Sequence, residues 1–229
     1  MTLPLVAQAG GDGPFVRWDW IWGHLDLVWE KVVEHLVLTG IALGVGLAIS
    51  LLLSAVVLRW RPAYAPITWV TGVAYSIPSL ALFAFLVPIT GFTILTAEIG
   101  LVSYTLLILI RNMVAGIDGV DPAVKEAALG MGYTRRRLFF QIELPLALPV
   151  IIAGLRIAGV TTIGLVTVTA LIGQGGVGYF ILRGLNRFFS TEIVLGTVLS
   201  VILAVALDLA LLGVERLLTP WSKRRGASI

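Results

Sequence analysis

Asp121 to Pro145 reads DPAVKEAALGMGYTRRRLFFQIELP, a polar interruption between long apolar runs. Asp121 before Pro122 is a helix start: the carboxylate accepts from free N–H groups, and proline at the first helical position gives up no bond. Ala123 to Leu129 favours helix, and Gly130 and Gly132 each offer a left-handed residue to end it. The result is a helix of about two turns, too short to hold itself in water. Small Ala127 and Ala128 beside Glu126 allow close packing, so the helix is expected to dock on a partner. Thr134 caps a second helix, with Leu138, Phe139 and Ile142 on its apolar face. Arg135, Arg136 and Arg137 fill its first turn, where the helix dipole disfavours positive charge. Anionic headgroups or an acidic partner surface are expected beside them, and the same arginines serve as a topological anchor. Pro145 and Pro149 are expected to close the segment before the chain re-enters an apolar run.

The solvent for those runs follows from composition. Of 229 residues, 58% are hydrophobic and only 13% charged, and the mean hydropathy is +0.99. Soluble domains carry about a quarter charged residues, so the excess of apolar side chains is explained by a bilayer. There is no cysteine, which excludes disulfides and thiolate metal sites. The two histidines, His24 and His35, are expected at interfacial or helix-surface positions, not as metal ligands. The opening MTLPLVAQAGG contains a small-x-small AQA, but it lacks a basic n-region and its apolar run is short for a signal peptide. It reads as an uncleaved polar tail.

Crossing the hydrocarbon takes about 20 apolar helical residues. Five segments qualify as helical spans: Leu36 to Leu58, Ala65 to Val87, Glu98 (or Ile94) to Ile110, Leu146 to Ile172, and Ile193 to Leu218. With the N-terminus outside, eleven basic residues fall on the cytoplasmic side: Arg59, Arg61, Arg111, Lys125, the three arginines, Arg216, Lys223, Arg224 and Arg225. Only Arg17, Lys31, Arg183 and Arg187 fall outside. The positive-inside rule therefore predicts an N-out, C-in chain, with residues 1–35 as an N-terminal tail and interfacial segment. Residues 36–229 form the membrane domain, and the polar loop at 118–145 is cytoplasmic.

Within the spans, Gly40 and Gly44, and Gly46, Ser50 and Ser54, recur at helix-packing spacing, for contacts inside one subunit or at a seam between two. Pro78 in YSIPSLALF predicts a kink; with Ser76 and Ser79 it lines a pathway or simply packs the bundle. Asp208 is costly in lipid, which points to a functional role; pairing with Arg156 on a neighbouring helix is the expected alternative. IGQGGVGYF, with Gln174, Gly175 and Gly176, suits a re-entrant turn or gate, a flexible loop being the alternative. Trp18, Trp20, Trp22 and Trp29 read as an interfacial helix in preference to a cage for a cation.

The spacing of Glu126-Ala127-Ala128, then Gly132, then Ile142-x-Leu144-Pro145 matches the EAA loop of ABC-importer permease subunits at every defining position. YSIPSLALFAFLVPITG, IRNMVAGIDGVDP, LPLALPVIIAGLRIA, ALIGQGGVG and LLTP extend the resemblance over most of Thr39 to Pro220. In these stretches the chain resembles permeases for osmoprotectant quaternary amines: glycine betaine, carnitine, choline and proline betaine. GQGGVG departs from the more usual GAGGLG, which leaves the details of that loop open.

The resemblance implies an all-α polytopic membrane protein with the type I ABC-importer permease (MetI-like) fold. It implies a transport subunit, not an enzyme, that works with a second permease subunit, identical or homologous. Two cytoplasmic ATPases would receive the loop helix, and an extracytoplasmic substrate-binding protein would deliver solute. The chain's own residues agree on one point: it has no G-x-x-x-x-G-K-[ST] phosphate loop, so ATP and Mg belong to the partner ATPase and this chain binds no cofactor. No nucleic-acid partner is expected. Methionine, nitrate or phosphonate permeases share the loop and are the alternatives for substrate. An ion-gradient-driven transporter fits less well, since internal repeats are missing and Asp208 is nearly alone.

Overall fold

The structure, a computed structural model, describes residues 14–221, and all regular structure among them is helical. In chain order the helices are α1 (Trp18–Trp22), α2 (Leu25–Arg59), α3 (Tyr64–Ser76), α4 (Ser79–Thr90), α5 (Ile94–Asp118), α6 (Pro122–Gly130), α7 (Arg135–Leu138), α8 (Leu144–Val168), α9 (Gly178–Arg187) and α10 (Ser190–Leu218). Among the described residues, α2, α5, the continuous run Arg135–Ile172 and α10 are each long and apolar enough to cross a membrane. The bent pair α3 and α4 makes a fifth span when taken as one. The tail residues Lys223, Arg224 and Arg225, and the opening MTLPLVAQAGG, lie outside the described residues.

Several boundaries differ from the sequence reading, each for a local reason. α2 begins eleven residues before Leu36, because nothing in Leu25 to His35 breaks a helix and Lys31 pairs with Glu34 one turn on. Its 35 residues span roughly 52 Å at 1.5 Å each, more than the roughly 30 Å of hydrocarbon. The kink at Pro78 is a full break of 95°. The proline drives Ile77 into an extended conformation (φ −67°, ψ 128°) and is itself extended (ψ 132°), so two successive residues leave the helix. α5 does not stop at Ile110 but continues to Asp118, which places Arg111 inside the helix and not in the loop.

Nor do Pro145 and Pro149 close the polar segment. α7 passes through a π-helical turn, Phe139–Glu143, directly into α8. The Leu144 N–H bonds back to the Phe139 carbonyl, five residues earlier. That wider turn gives the Pro145 ring the room an α-helical turn would deny it.

α5 is the most buried of the long helices and α10 the least. α5 packs on α8, α2, α3 and α4. Ala97 and Leu101 meet Leu38 and Ala42 of α2, Phe83 of α4, Val166 near the end of α8 and Ile172 in the turn that follows it. α2 and α5 run parallel: Gly46 abuts Thr105, and the Ser54 hydroxyl donates to Met113 Sδ at 3.5 Å. Among the described residues, a Cβ added at Gly40 or Gly44 would meet no atom within 4 Å. The bundle has two ends. One, the loop end, carries α6, Arg61 and Asp118. The other carries α9 and the glycine-rich turn.

Candidate coupling loop and translocation face

At the loop end, Asp121 Oδ1 accepts from the Ala123 N–H at 2.8 Å, and Pro122 follows as the first helical residue. α6 ends in paired bonds: the Tyr133 N–H to the Ala128 carbonyl (3.1 Å) and the Gly132 N–H to the Leu129 carbonyl (3.0 Å). This closure places Gly132 at φ +86°, where a side chain is strained although no atom stands nearby to clash with it. Of the two candidate glycines, Gly132 makes the turn.

Ala128 is buried at 1% exposure, while Glu126 and Ala127 are exposed. Leu129 and Met131 add exposed apolar surface, Met131 at 70%. α6 therefore grips its own chain through Ala128 and leaves a small-residue face with an acid and two apolar side chains uncovered. Lys125 holds it in place: its Nζ lies 3.2 Å from Glu143 Oε1 in the π turn and donates to the Ile117 carbonyl at 3.2 Å. Ile142 and Pro145 come alongside Val124, with Gln141, Leu146 and Trp221 completing a cleft of about 470 Å³; Leu144 is half-buried beside them. Thr134 caps α7 through the Arg137 N–H at 3.4 Å. Arg135, Arg136 and Arg137 are exposed and, among the described residues, pair with no carboxylate. Arg61 grips Asp118 with its two terminal nitrogens (2.8 and 2.6 Å), tying the start of the broken span to the end of α5.

At the other end, the glycine-rich turn is clamped. Glu34 Oε1 accepts from the N–H groups of Gly175 (3.0 Å) and Gly176 (3.1 Å), while its Oε2 takes Lys31 Nζ at 2.7 Å. Gly176, at φ +49°, lies against the α2 backbone at His35, closer than any Cβ would allow. His35 is fully buried there, not on a helix surface as its sequence context implies; His24 sits in the turn before α2, its ring stacked on Trp20 at 4.2 Å. Arg183 of α9 meets Glu192 of α10 with two nitrogens (2.8 and 2.6 Å) and the Tyr179 hydroxyl with the third (2.6 Å). Those bonds, Glu192 first and against the effect of burial, hold the Arg183 guanidinium above its ordinary pKa. Trp20 lies under the same guanidinium at 5.6 Å. Trp18, Trp22 and Trp29 are all about two-thirds exposed. Gln174 and Gly175 line a cavity of about 490 Å³ with Lys31, Glu34, Tyr179 and Arg187.

Between the ends, Ser76, Pro78 and Ser79 form the break of the α3–α4 span, and the Ser76 hydroxyl donates to the Gly72 carbonyl at 2.8 Å. The break and the glycine turn line separate cavities. Arg156 of α8 binds Asp208 of α10 through two nitrogens (2.8 and 2.9 Å) and reaches Glu215 with the third at 3.4 Å. Glu34, Glu192 and Glu143 carry no signal in the sequence, and Lys31 and Arg111 count there only toward the charge balance. An acid beside a glycine turn and a base seven residues inside a helix are visible only once the partner 141 residues away, or the true helix end, is known.

The family of inner membrane components of binding-protein-dependent transport systems matches residues 40–224, and the chain belongs to it: it is a permease subunit of an ABC importer. It is 35% identical over 195 residues to the choline transport system permease protein OpuBB of Bacillus subtilis, which covers 85% of this chain and 90% of that one. Identity to the osmoprotectant import permease protein OsmW of Salmonella typhimurium is 32% over 192 residues, covering 82% and 89%. Among solved structures, the inward-facing MetNI methionine ABC transporter has a chain of the same fold (TM-score 0.69, 21% identity, 89% of this chain and 100% of that one). So does an amino acid ABC transporter crystallised with histidines (TM-score 0.68, 18% identity, 88% and 98%).

Proposed function

We propose that this permease forms the translocation pathway for osmoprotectant quaternary amines, such as glycine betaine, carnitine, choline or proline betaine. Its relatives at 32–35% identity carry choline, carnitine, glycine betaine and osmoprotectant transport in their names, which supports the substrate class. In this reading the chain is N-out and C-in, residues 36–229 are the membrane domain, and α6 lies in the cytoplasm. A separate ATPase pair, holding ATP and Mg, receives α6 in a surface groove; a second permease completes the pathway; a binding protein delivers solute on the outer face.

The observation that carries the coupling role is the state of α6. It is nine residues long, closed at both ends by its own caps, anchored by Ala128 and Lys125, and bare along Glu126, Ala127, Leu129 and Met131. Because α7, the π turn and α8 are continuous, displacement of α6 transmits through Lys125–Glu143 to a membrane-spanning helix. ATP binding biases the pathway only through such a difference in contact energy between states.

The test is uptake by vesicles holding the chain with and without its ATPase. Quaternary-amine uptake that requires ATP and the ATPase is expected. Uptake by the chain alone, driven by an ion gradient, would overturn this function.

A further inference from the structure

The break between α3 and α4 opens on a cavity of about 720 Å³, with Trp69, Tyr75, Ser76 and Ile77 on one wall and Arg111 on the other. Two independent features of this cavity are incompatible with lipid. Ser76, Ile77 and Pro78 are exposed, and Ile77 and Pro78 are non-helical, although α3 and α4 together make a span. Non-helical backbone at membrane depth persists only where protein covers it or water reaches it. Arg111 is also exposed, about two turns inside α5, and among the described residues it has no ion-pair or hydrogen-bond partner. Arginines within spans face a water-filled cavity or the protein interior.

The groups on the two walls define a ligand. Trp69, 70% exposed, and Tyr75, 39% exposed, offer aromatic rings. The C-terminal end of α3, carrying the negative end of its dipole, finishes at Ser76 on the same side. Rings and a helix C-terminus together favour a cation, and a quaternary ammonium needs no hydrogen-bond acceptor. Arg111 favours a carboxylate and, being unpaired, is free to take one. Tyr104 keeps the first wall in place: its hydroxyl donates to the Ile77 carbonyl, and its ring meets Tyr75 edge-on at 5.7 Å.

We propose that this cavity is a substrate subsite for zwitterions that combine a quaternary ammonium with a carboxylate. The ammonium lies toward Trp69, Tyr75 and the end of α3, and the carboxylate lies on Arg111. This rests on the osmoprotectant reading above. It adds a selectivity built into the permease itself, favouring betaines over choline, which has no carboxylate.

The experiment compares uptake of glycine betaine and choline by vesicles holding the complete importer, the two solutes measured in parallel. Arg111→Gln is expected to lower the glycine betaine to choline uptake ratio by about tenfold or more. Misfolding lowers both rates together and leaves the ratio alone, so the ratio isolates the site. Trp69→Ala is expected to raise KM for both solutes, since both carry the ammonium, and Trp69→Phe, which keeps a ring, to restore it in large part. An unchanged ratio in Arg111→Gln, or in Arg111→Ala if the first variant fails to reach the membrane, would overturn the subsite. Failure of the unsubstituted importer to take up either solute would instead sink the substrate class.

Discussion

Lys125 Nζ and Glu143 Oε1 stand 3.2 Å apart, joining the short helix α6 to the π turn from which α8 rises. Both side chains are largely covered, 26% and 16% exposed. Replacing Lys125 by Met is expected to cost on the order of 1 kcal/mol of stability and to loosen α6 from α8. The checkable outcome is a severalfold drop in solute moved per ATP hydrolysed, with the permease still inserted.

Gly132 sets the exit angle of α6 through its φ of +86°, not through crowding. A branched residue there costs about 1–2 kcal/mol, whereas asparagine enters the left-handed region more readily. Gly132→Val should therefore uncouple transport from hydrolysis while Gly132→Asn largely preserves it. Equal coupling in the two variants would mean the turn geometry is unimportant.

Glu34 accepts from two buried N–H groups, those of Gly175 and Gly176. Glu34→Ala strands both, at a cost of about 2 kcal/mol or more, and Glu34→Gln, which keeps an acceptor oxygen, less. Thermal unfolding of the purified protein should rank native above Gln above Ala.

Arg156 and Asp208 are joined by two bonds between membrane-spanning helices. Removing Arg156 takes away the cation that both Asp208 and Glu215 face, whereas removing Asp208 leaves Arg156 its longer contact to Glu215 at 3.4 Å, so Arg156→Met should destabilise more than Asp208→Leu, and the two combined less than the sum of the single losses. A thermal-unfolding double-mutant cycle reads this directly; additive losses would show that the pair is not coupled.

The apolar runs announced the spans because nothing but a bilayer rewards their length. Asp121-Pro122 and Gly132 announced α6 because caps are local chemistry. The features that shape the sites were hidden, because each depends on a distant partner. The 95° break is held by Tyr104 reaching Ile77, 27 residues back, so Pro78 alone reads as a kink. Gly175 and Gly176 read as a re-entrant turn or gate, or a flexible loop, until Glu34, on another helix, is seen bonded to both. Arg111 read as a loop residue because Ile110 ends the purely apolar stretch, while the helix itself runs on to Asp118. Pro145 read as a terminator because a π turn leaves no signature in composition.

Seating of α6 in the ATPase, as proposed, is open to a direct measurement. The chain has no cysteine, so Ala127→Cys provides its single thiol, at an exposed position on α6. A short bifunctional thiol reagent, applied to the assembled importer whose ATPase carries one cysteine in its groove, measures the contact. A cross-linked permease–ATPase product is expected from Ala127→Cys and none from Asn186→Cys at the other end of the bundle. No product from Ala127→Cys, or a product from Asn186→Cys instead, would contradict it.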